Sequence, residues 1–95
     1  MGYTLVDGEL QNKLTPETFE IPTKDEVSGI EVGDYAKLGF EEEGKYTERM
    51  WVRVISIGDS VFTGVLDNFP QQLDTISCAD EVTFAAKHIL SILKD

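Results

Sequence analysis

Apolar and polar residues alternate in two neighbouring stretches of the chain, and this period of two predicts two strands that each bury one face. In the stretch that starts at Tyr35, the apolar face consists of Ala36, Leu38 and Phe40, and the other face of Tyr35, Lys37, Gly39 and Glu41. In residues 46–57, the apolar face consists of Met50, Val52 and Val54, and the other face of Arg49, Trp51 and Arg53. The polar run between them, residues 42–45, predicts a hairpin tip.

The turn at Gly58-Asp59-Ser60 decides how the second strand pairs with the next one. A three-residue loop places Val52 opposite Leu66 and Ser56 opposite Phe62, so that apolar side chains share one face. A two-residue loop mixes apolar and charged residues on both faces, because a slip of one residue turns every side chain over. The pattern favours three, although a glycine at the first loop position suits a tight two-residue turn.

Short helices are predicted on the N-terminal side of the chain and, as one of two options, at its end. Residues 7–14 can form barely two helical turns. Thr23 and Glu26 have the spacing of a capping box, which predicts one helical turn over Lys24 to Ser28 that ends at Gly29.

Two aspartates, Asp34 and Asp80, each precede an alternating stretch and are predicted to cap a turn through a bond from side chain to backbone. The last segment, residues 88–94, fits one face of a short helix as well as it fits a buried strand, and the pattern does not separate the two.

These elements predict an α+β fold that is mainly β: a strongly curled antiparallel sheet or a small SH3-like barrel with one or two short helices. A length of 95 residues with 41% hydrophobic and 27% charged residues fits one domain, residues 1–95. Within it we expect an irregular, partly helical lead-in at residues 1–30 and a β-rich core at residues 31–95.

The charge is strongly negative, with 18 acidic against 8 basic residues and a formal net charge of −10. Such a chain repels phosphate backbones and anionic lipid surfaces, so neither nucleic acid nor a membrane is an expected partner. The acidity either keeps the protein soluble or meets a basic protein partner. No run reaches the length of a membrane span and the first residues lack a signal peptide, so we expect a cytosolic protein.

Catalytic and metal-binding patterns are absent from the sequence. The single histidine, His88, has no nucleophile or acid at an informative spacing, and no phosphate loop or metal-ligand motif occurs. Glu41 to Glu43 lack the spacing of a calcium loop and predict a solvated tip. Cys78 cannot form an internal disulfide and is expected to be a small core residue. We predict no enzyme activity, no cofactor and no metal.

The Arg49-Trp51-Arg53 stripe is the candidate binding surface. An indole offers a large flat contact area, and guanidinium groups bind carboxylate or phosphate through forked donors. Across the hairpin, Asp67 and Asn68 add acceptors and donors. A structural alternative stays open: Trp51 covers a bare sheet face, one arginine pairs with Asp67, and Asp67 and Asn68 form a turn by bonding their own backbone.

Two runs of residues carry a resemblance to a known family. Residues 48–54 and 62–70 follow the pattern E-R-M-W-V-x-V, then F-x-G-x-L-D-N-x-P. This pattern resembles the signature of a family of small bacterial domains of unknown function, and the resemblance extends from about Thr18 to Ile89. Members tend to carry a Gly-Asp turn where this chain has Ala79-Asp80. The resemblance implies a small bacterial protein and no particular activity, cofactor or catalytic residue.

Three functional hypotheses follow. The first is a non-catalytic binding module that holds an unknown protein or small molecule on the Trp51 stripe. The second is an immunity-type inhibitor whose acidic surface blocks a basic toxin. The third is an enzyme with an unfamiliar site, which requires a pocket that holds titratable groups with shifted pKa values.

Overall fold

The computed structural model describes residues 2–95, which form six strands and two short helices. Met1, where the predicted lead-in begins, lies outside the described residues. The strands are β1 (Thr4–Leu5), β2 (Tyr35–Glu41), β3 (Glu48–Ile57), β4 (Phe62–Leu66), β5 (Glu81–Phe84) and β6 (Ser91–Leu93). The helices are α1 (Gly8–Leu14) and α2 (Lys24–Ser28), and a 3-10 turn covers Ala86–His88.

The strands form one curled antiparallel sheet in the order β1-β2-β3-β4-β5. The short strands β1 and β6 share the outer edge of β2, where β1 pairs with its end and β6 with its beginning. The predicted fold class, a mainly β chain with a curled antiparallel sheet and short helices, is therefore confirmed. The ambiguous segment 88–94 contains a strand, because β6 completes the backbone hydrogen bonds of the β2 edge.

The core lies against one face of the sheet, and the predicted alternation is confirmed in both long strands. Every apolar residue predicted for this face of β2 and β3 is buried, while their neighbours are half-buried or exposed apart from Gly39. The core residues are Ile30, Ala36, Leu38, Phe40, Met50, Val52, Val54, Leu66, Leu73, Ile76, Val82, Phe84 and Ile89.

Both helices begin at the residues that the sequence indicated. The Asp7 side chain accepts a hydrogen bond from the Leu10 N–H at the start of α1. At α2, Thr23 and Glu26 form the predicted capping box, with reciprocal bonds of 3.1 and 2.8 Å. Within residues 2–95, no helix has the length and apolar character that a membrane crossing needs.

The pairing of β3 with β4 confirms only part of the predicted register. Val52 lies opposite Leu66, as a three-residue loop requires. Nearer the turn, Ser56 lies opposite Thr63 and not opposite Phe62, because the register shifts by one residue along β3.

The shift is a β-bulge at Ile55, which has no partner residue on β4. At the turn, the Gly58 N–H donates to the Val61 carbonyl at 2.8 Å, so the loop itself consists of residues 59–60. A two-residue loop and a one-residue bulge together give the middle of the hairpin the register of a three-residue loop. The apolar pattern predicted the register of the buried part of the hairpin correctly, but it did not predict the combination of loop and bulge that produces this register.

The two predicted aspartate turns are confirmed and have the same geometry. Asp34 accepts from the Glu31 N–H, and Asp80 accepts from the Ser77 N–H, each at 2.9 Å. In both turns, the residue before the aspartate has a positive φ: 102° at Gly33 and 76° at Ala79. The turn before β5 is therefore left-handed although it contains no glycine.

Replacing Ala79 with glycine is expected to stabilise the protein. A left-handed backbone conformation costs alanine about 1–2 kcal/mol, and glycine relieves this strain. Part of the stabilisation is offset because glycine loses more conformational entropy on folding. We expect Ala79→Gly to raise the free energy of unfolding by about 0.5–1 kcal/mol in urea titrations. The reverse change, Gly33→Ala, should lower it by a similar amount, since the added methyl group would meet only Asp95 Oδ2 at 3.6 Å, an ordinary contact distance. A less stable Ala79→Gly protein would contradict this account.

Part of the second face of the sheet is also covered. A Cβ atom added at Gly39 would lie 2.8 Å from Val6 Cγ2 and 3.4 Å from Leu90 Cδ1, so these side chains pack directly on the strand backbone. Larger residues would push this second layer away from the sheet. The cover lies at the Gly39 end of β2, and it leaves the surface around Trp51 more open.

Candidate functional site

The residues around Trp51 form one surface on the second face of the sheet. We define the Trp51 face as Tyr35, Lys37, Arg49, Trp51 and Arg53. The pairing of β2 with β3 places Tyr35 opposite Arg53 and Lys37 opposite Trp51. The two arginines are exposed and the other three residues are half-buried. The predicted stripe is thus broader than β3, because β2 adds an aromatic ring and a cation.

Lys37 lies over the indole of Trp51, with its Nζ atom 4.9 Å from the ring centroid. At a partly exposed site such a cation–π contact contributes about 0.5–1 kcal/mol. The contact holds the ammonium group beside the ring, so an anion that approaches the indole meets a positive charge.

Neither Arg49 nor Arg53 forms an ion pair within residues 2–95. The Arg49 guanidinium carbon lies 5.2 Å from the centroid of the Phe19 ring, which comes from the segment between α1 and α2. The predicted structural alternative, an ion pair between either arginine and Asp67, is wrong, because the ion pairs within residues 2–95 all involve Lys45 or Lys94. Both guanidinium groups therefore keep their charge exposed on the Trp51 face.

Asp67 and Asn68 fix the backbone of Trp51. The Trp51 N–H donates to Asn68 Oδ1 at 2.6 Å, and the Asp67 N–H donates to the Trp51 carbonyl at 2.9 Å. The Asn68 side chain thus replaces a strand carbonyl where β4 has ended. The prediction that Asp67 and Asn68 form a turn by bonding their own backbone is therefore wrong, since these bonds join them to the backbone of Trp51 on β3. The carboxylate of Asp67 is exposed at the edge of the face.

A second cluster, which the sequence did not single out, joins the β2–β3 hairpin to residues 71–75. The Glu42 carboxylate accepts the N–H groups of Asp74 and Thr75 at 3.0 and 2.9 Å and the Thr75 hydroxyl at 2.6 Å. The Lys45 ammonium group lies 3.1 Å from the same carboxylate. The Glu42 side chain is only 8% exposed, so the prediction of a solvated tip is wrong for this residue.

These contacts stabilise the ionised form of Glu42. The Thr75 hydroxyl bond is the largest cause, and with the two N–H bonds and Lys45 it lowers the pKa of Glu42 from 4.5 to about 2 against the opposing effect of burial. The carboxylate is therefore a structural anion that holds a loop.

Glu48 holds the beginning of the same loop. Its carboxylate accepts the N–H groups of Gln71, Gln72 and Leu73 at 2.9, 2.7 and 3.2 Å. The Gln71 bond is the largest of the causes that lower the pKa of Glu48. We call Glu42 and Glu48 the carboxylate clamp. Sequence reasoning missed it because the partners, mostly backbone N–H groups, lie 23 to 33 positions away along the chain.

His88 and Cys78 have local structural contacts. His88 Nδ1 accepts the Ala85 N–H at 3.0 Å, and burial, with Lys87, lowers the pKa of His88 although Asp7 opposes the shift. Cys78 is half-buried, and its Sγ atom lies 3.8 Å from the Leu66 carbonyl oxygen. Among residues 2–95, no group of three or more His, Cys, Asp or Glu side chains has a geometry suited to a metal ion.

A family model described as an uncharacterized protein conserved in bacteria (DUF2314) matches residues 10–92, and the chain belongs to this family. No curated protein and no solved structure matches the chain.

Proposed function

We propose that this member of an uncharacterised bacterial family is a non-catalytic binding module whose contact surface is the Trp51 face. One observation carries the proposal: two cross-strand pairs, Tyr35 with Arg53 and Lys37 with Trp51, set a basic residue opposite an aromatic one on a partly accessible surface, and Lys37 lies over the Trp51 ring. Trp, Tyr and Arg are the residue types enriched at binding hot spots.

The charges of the face favour an anionic partner. Lys37, Arg49 and Arg53 are three of only eight basic residues in a chain of net charge −10. Guanidinium groups bind carboxylate and phosphate through paired donors, and a nearby indole lowers the cost of removing water from the contact. The negative charge of Asp67, at the edge of the Trp51 face, repels an anion that extends towards β4. Asn68 contributes to binding indirectly, because its side chain fixes the backbone of Trp51.

Removing the indole is expected to abolish binding with little effect on the fold. Trp51 is half-buried and makes one cation–π contact, so Trp51→Ala should lower the free energy of unfolding by only about 1 kcal/mol. In affinity capture from a lysate of a bacterial host, the wild type should retain a species that the folded Trp51→Ala protein loses.

The matched control is Phe69→Ala, since this ring is 81% exposed and lies outside the Trp51 face. Trp51 is the only tryptophan, so its fluorescence reports directly on the face when a captured species is added back. A bound anion should also be released as salt rises. Equal capture by all three proteins, or a Trp51→Ala protein that does not fold, would refute the proposal.

A basic protein partner is the second candidate, because a separate surface suits it. Tyr46 and Phe69 are each 81% exposed, and the carboxylate clamp brings their loops together, since Glu48 bonds Gln71. Exposed acids lie within five residues of these rings in the sequence, namely Glu41, Glu43, Asp67 and Asp74. If capture is lost in a Tyr46→Ala/Phe69→Ala protein and kept in Trp51→Ala, an acidic inhibitor of a basic protein replaces the binding module as the function.

A further inference from the structure

A cleft of about 580 Å³ opens between α1, α2 and the 3-10 turn, on a part of the molecule that shares no residue with the Trp51 face. This volume falls within the range of small-molecule sites, about 300–1,000 Å³. Its apolar lining comes from Ile21, Pro22, Val27, Ala86 and Ile89. Ile89 is buried at 2% exposure and belongs to the core, so the floor of the cleft is fixed by the fold.

The charges of the cleft are the opposite of those of the chain as a whole. Lys13 and Lys24 line it together with a single acid, Glu9. The whole chain has 18 acidic and 8 basic residues, whereas the cleft has one acidic and two basic. Basic residues therefore outnumber acidic ones in the lining of the cleft, whereas the chain as a whole is strongly acidic.

Both lysines are free to meet a ligand. Within residues 2–95, Lys45 and Lys94 form ion pairs and Lys37 lies over Trp51, but neither Lys13 nor Lys24 makes an ion pair. Both are exposed, so the ammonium groups reach the opening of the cleft at little cost in desolvation.

From this arrangement we infer that the cleft binds a small organic carboxylate with an apolar body. The apolar part packs on Ile21, Val27 and Ile89, and the carboxylate lies between Lys13 and Lys24. Two positive charges and one negative charge leave a net charge of +1 at the cleft, which matches one carboxylate better than a doubly charged phosphate. Lysine offers a point charge on a flexible stem, so the site selects charge and apolar bulk more than head-group geometry.

The test is an NMR titration of the full chain with octanoate, and with 1-octanol as the uncharged probe of the same apolar length. Octanoate should give saturable shifts at the amides of Val27, Ser28, Ala86 and Ile89. Octanol should bind at least about fivefold more weakly, because it lacks the charge that the lysines attract.

Two variants separate charge from shape. Lys13→Gln/Lys24→Gln should weaken octanoate binding about tenfold and leave octanol binding unchanged. Ala86→Trp, which fills the cleft from an exposed position, should remove the binding of both. Lys87→Gln is the control, since it removes a positive charge that does not line the cleft.

The result is independent of the Trp51 face, so Trp51→Ala should bind octanoate as the wild type does. Equal affinity for octanoate and octanol, wild-type affinity in the double lysine variant, or shifts that do not saturate would each overturn the inference.

Discussion

Replacing Phe84 with alanine is expected to cost about 3–5 kcal/mol, a large part of the roughly 5–15 kcal/mol that stabilises a domain of this kind. Phe84 is 2% exposed in the middle of the core and stacks on Phe62, its partner across β4 and β5, with ring centroids 5.3 Å apart. Truncation removes this contact and leaves a cavity under an edge strand of four residues. Urea titration should show an earlier midpoint, and thermal melting should show a Tm lower by more than about 10 °C.

The chain offers a matched control of the same residue type. Phe69→Ala removes an identical side chain that is 81% exposed, and it should change stability by no more than about 0.5 kcal/mol. If Phe84→Ala is too unstable to purify, Phe84→Leu keeps most of the volume and should lose less. Equal losses for the Phe69 and Phe84 variants would mean that β5 does not pack as described.

The features that could be predicted from the sequence are those that depend on residues close together in the chain. The capping box at Thr23 and Glu26 and the turns at Asp34 and Asp80 require only three or four consecutive positions, so their chemistry is visible in the sequence. Alternation in β2 and β3 identified the core face, because burial of one face imposes a period of two. The curled antiparallel sheet followed from those strands and from the need to cover its edges.

Contacts between distant residues could not be predicted in this way. Lys37 belongs to the Trp51 face only because the register of β2 on β3 places it opposite Trp51. The strand at the chain end forms because the edge of β2 has unpaired backbone groups, which the local pattern of residues 88–94 does not reveal. The bulge at Ile55 could not be predicted either, since the apolar pattern on both sides of it is the same with or without a bulge.

The structure divides the residues of the two signature runs by what they contact. Apolar members such as Val52 and Leu66 enter the core, whereas Phe69 is exposed. Two polar members, Glu48 and Asn68, accept hydrogen bonds from backbone N–H groups. Arg49, Trp51 and Arg53 remain with side chains that reach the surface. A fold needs the first two groups. The contacts of the third group, Lys37 on Trp51 and Phe19 on Arg49, lie at the surface and leave the side chains partly accessible, which is why the proposed contact surface lies there.

Acid is expected to unfold the protein by protonating carboxylates whose pKa values the fold lowers, chiefly Glu42 and Asp34. The pKa of Glu42 falls from 4.5 to about 2, chiefly through the Thr75 hydroxyl, and that of Asp34 falls from 3.8 to about 2, chiefly through Lys94. Because both are lower in the folded chain than in the unfolded one, the unfolded state takes up protons first as the pH drops. The stability that they contribute is complete above about pH 4.5 and is lost as the pH falls towards 2.

Substitution of Glu42 distinguishes the contribution of this carboxylate to acid unfolding from the protonation of other acidic residues. Glu42→Gln can keep an oxygen for the Thr75 N–H, but it removes the negative charge and places an amide NH2 at the position of Oε1, against the Lys45 ammonium group and the Asp74 N–H. It should therefore destabilise the protein at pH 7 and expose residues 71–75 to proteases. Its stability should also fall less steeply than that of the wild type between pH 4.5 and 2, because one of the carboxylates whose pKa the fold lowers is gone. Glu43→Gln, an exposed neighbour, should match the wild type in both respects. An unchanged acid slope in Glu42→Gln would show that the clamp does not link folding to pH, and the 71–75 loop would then need another anchor.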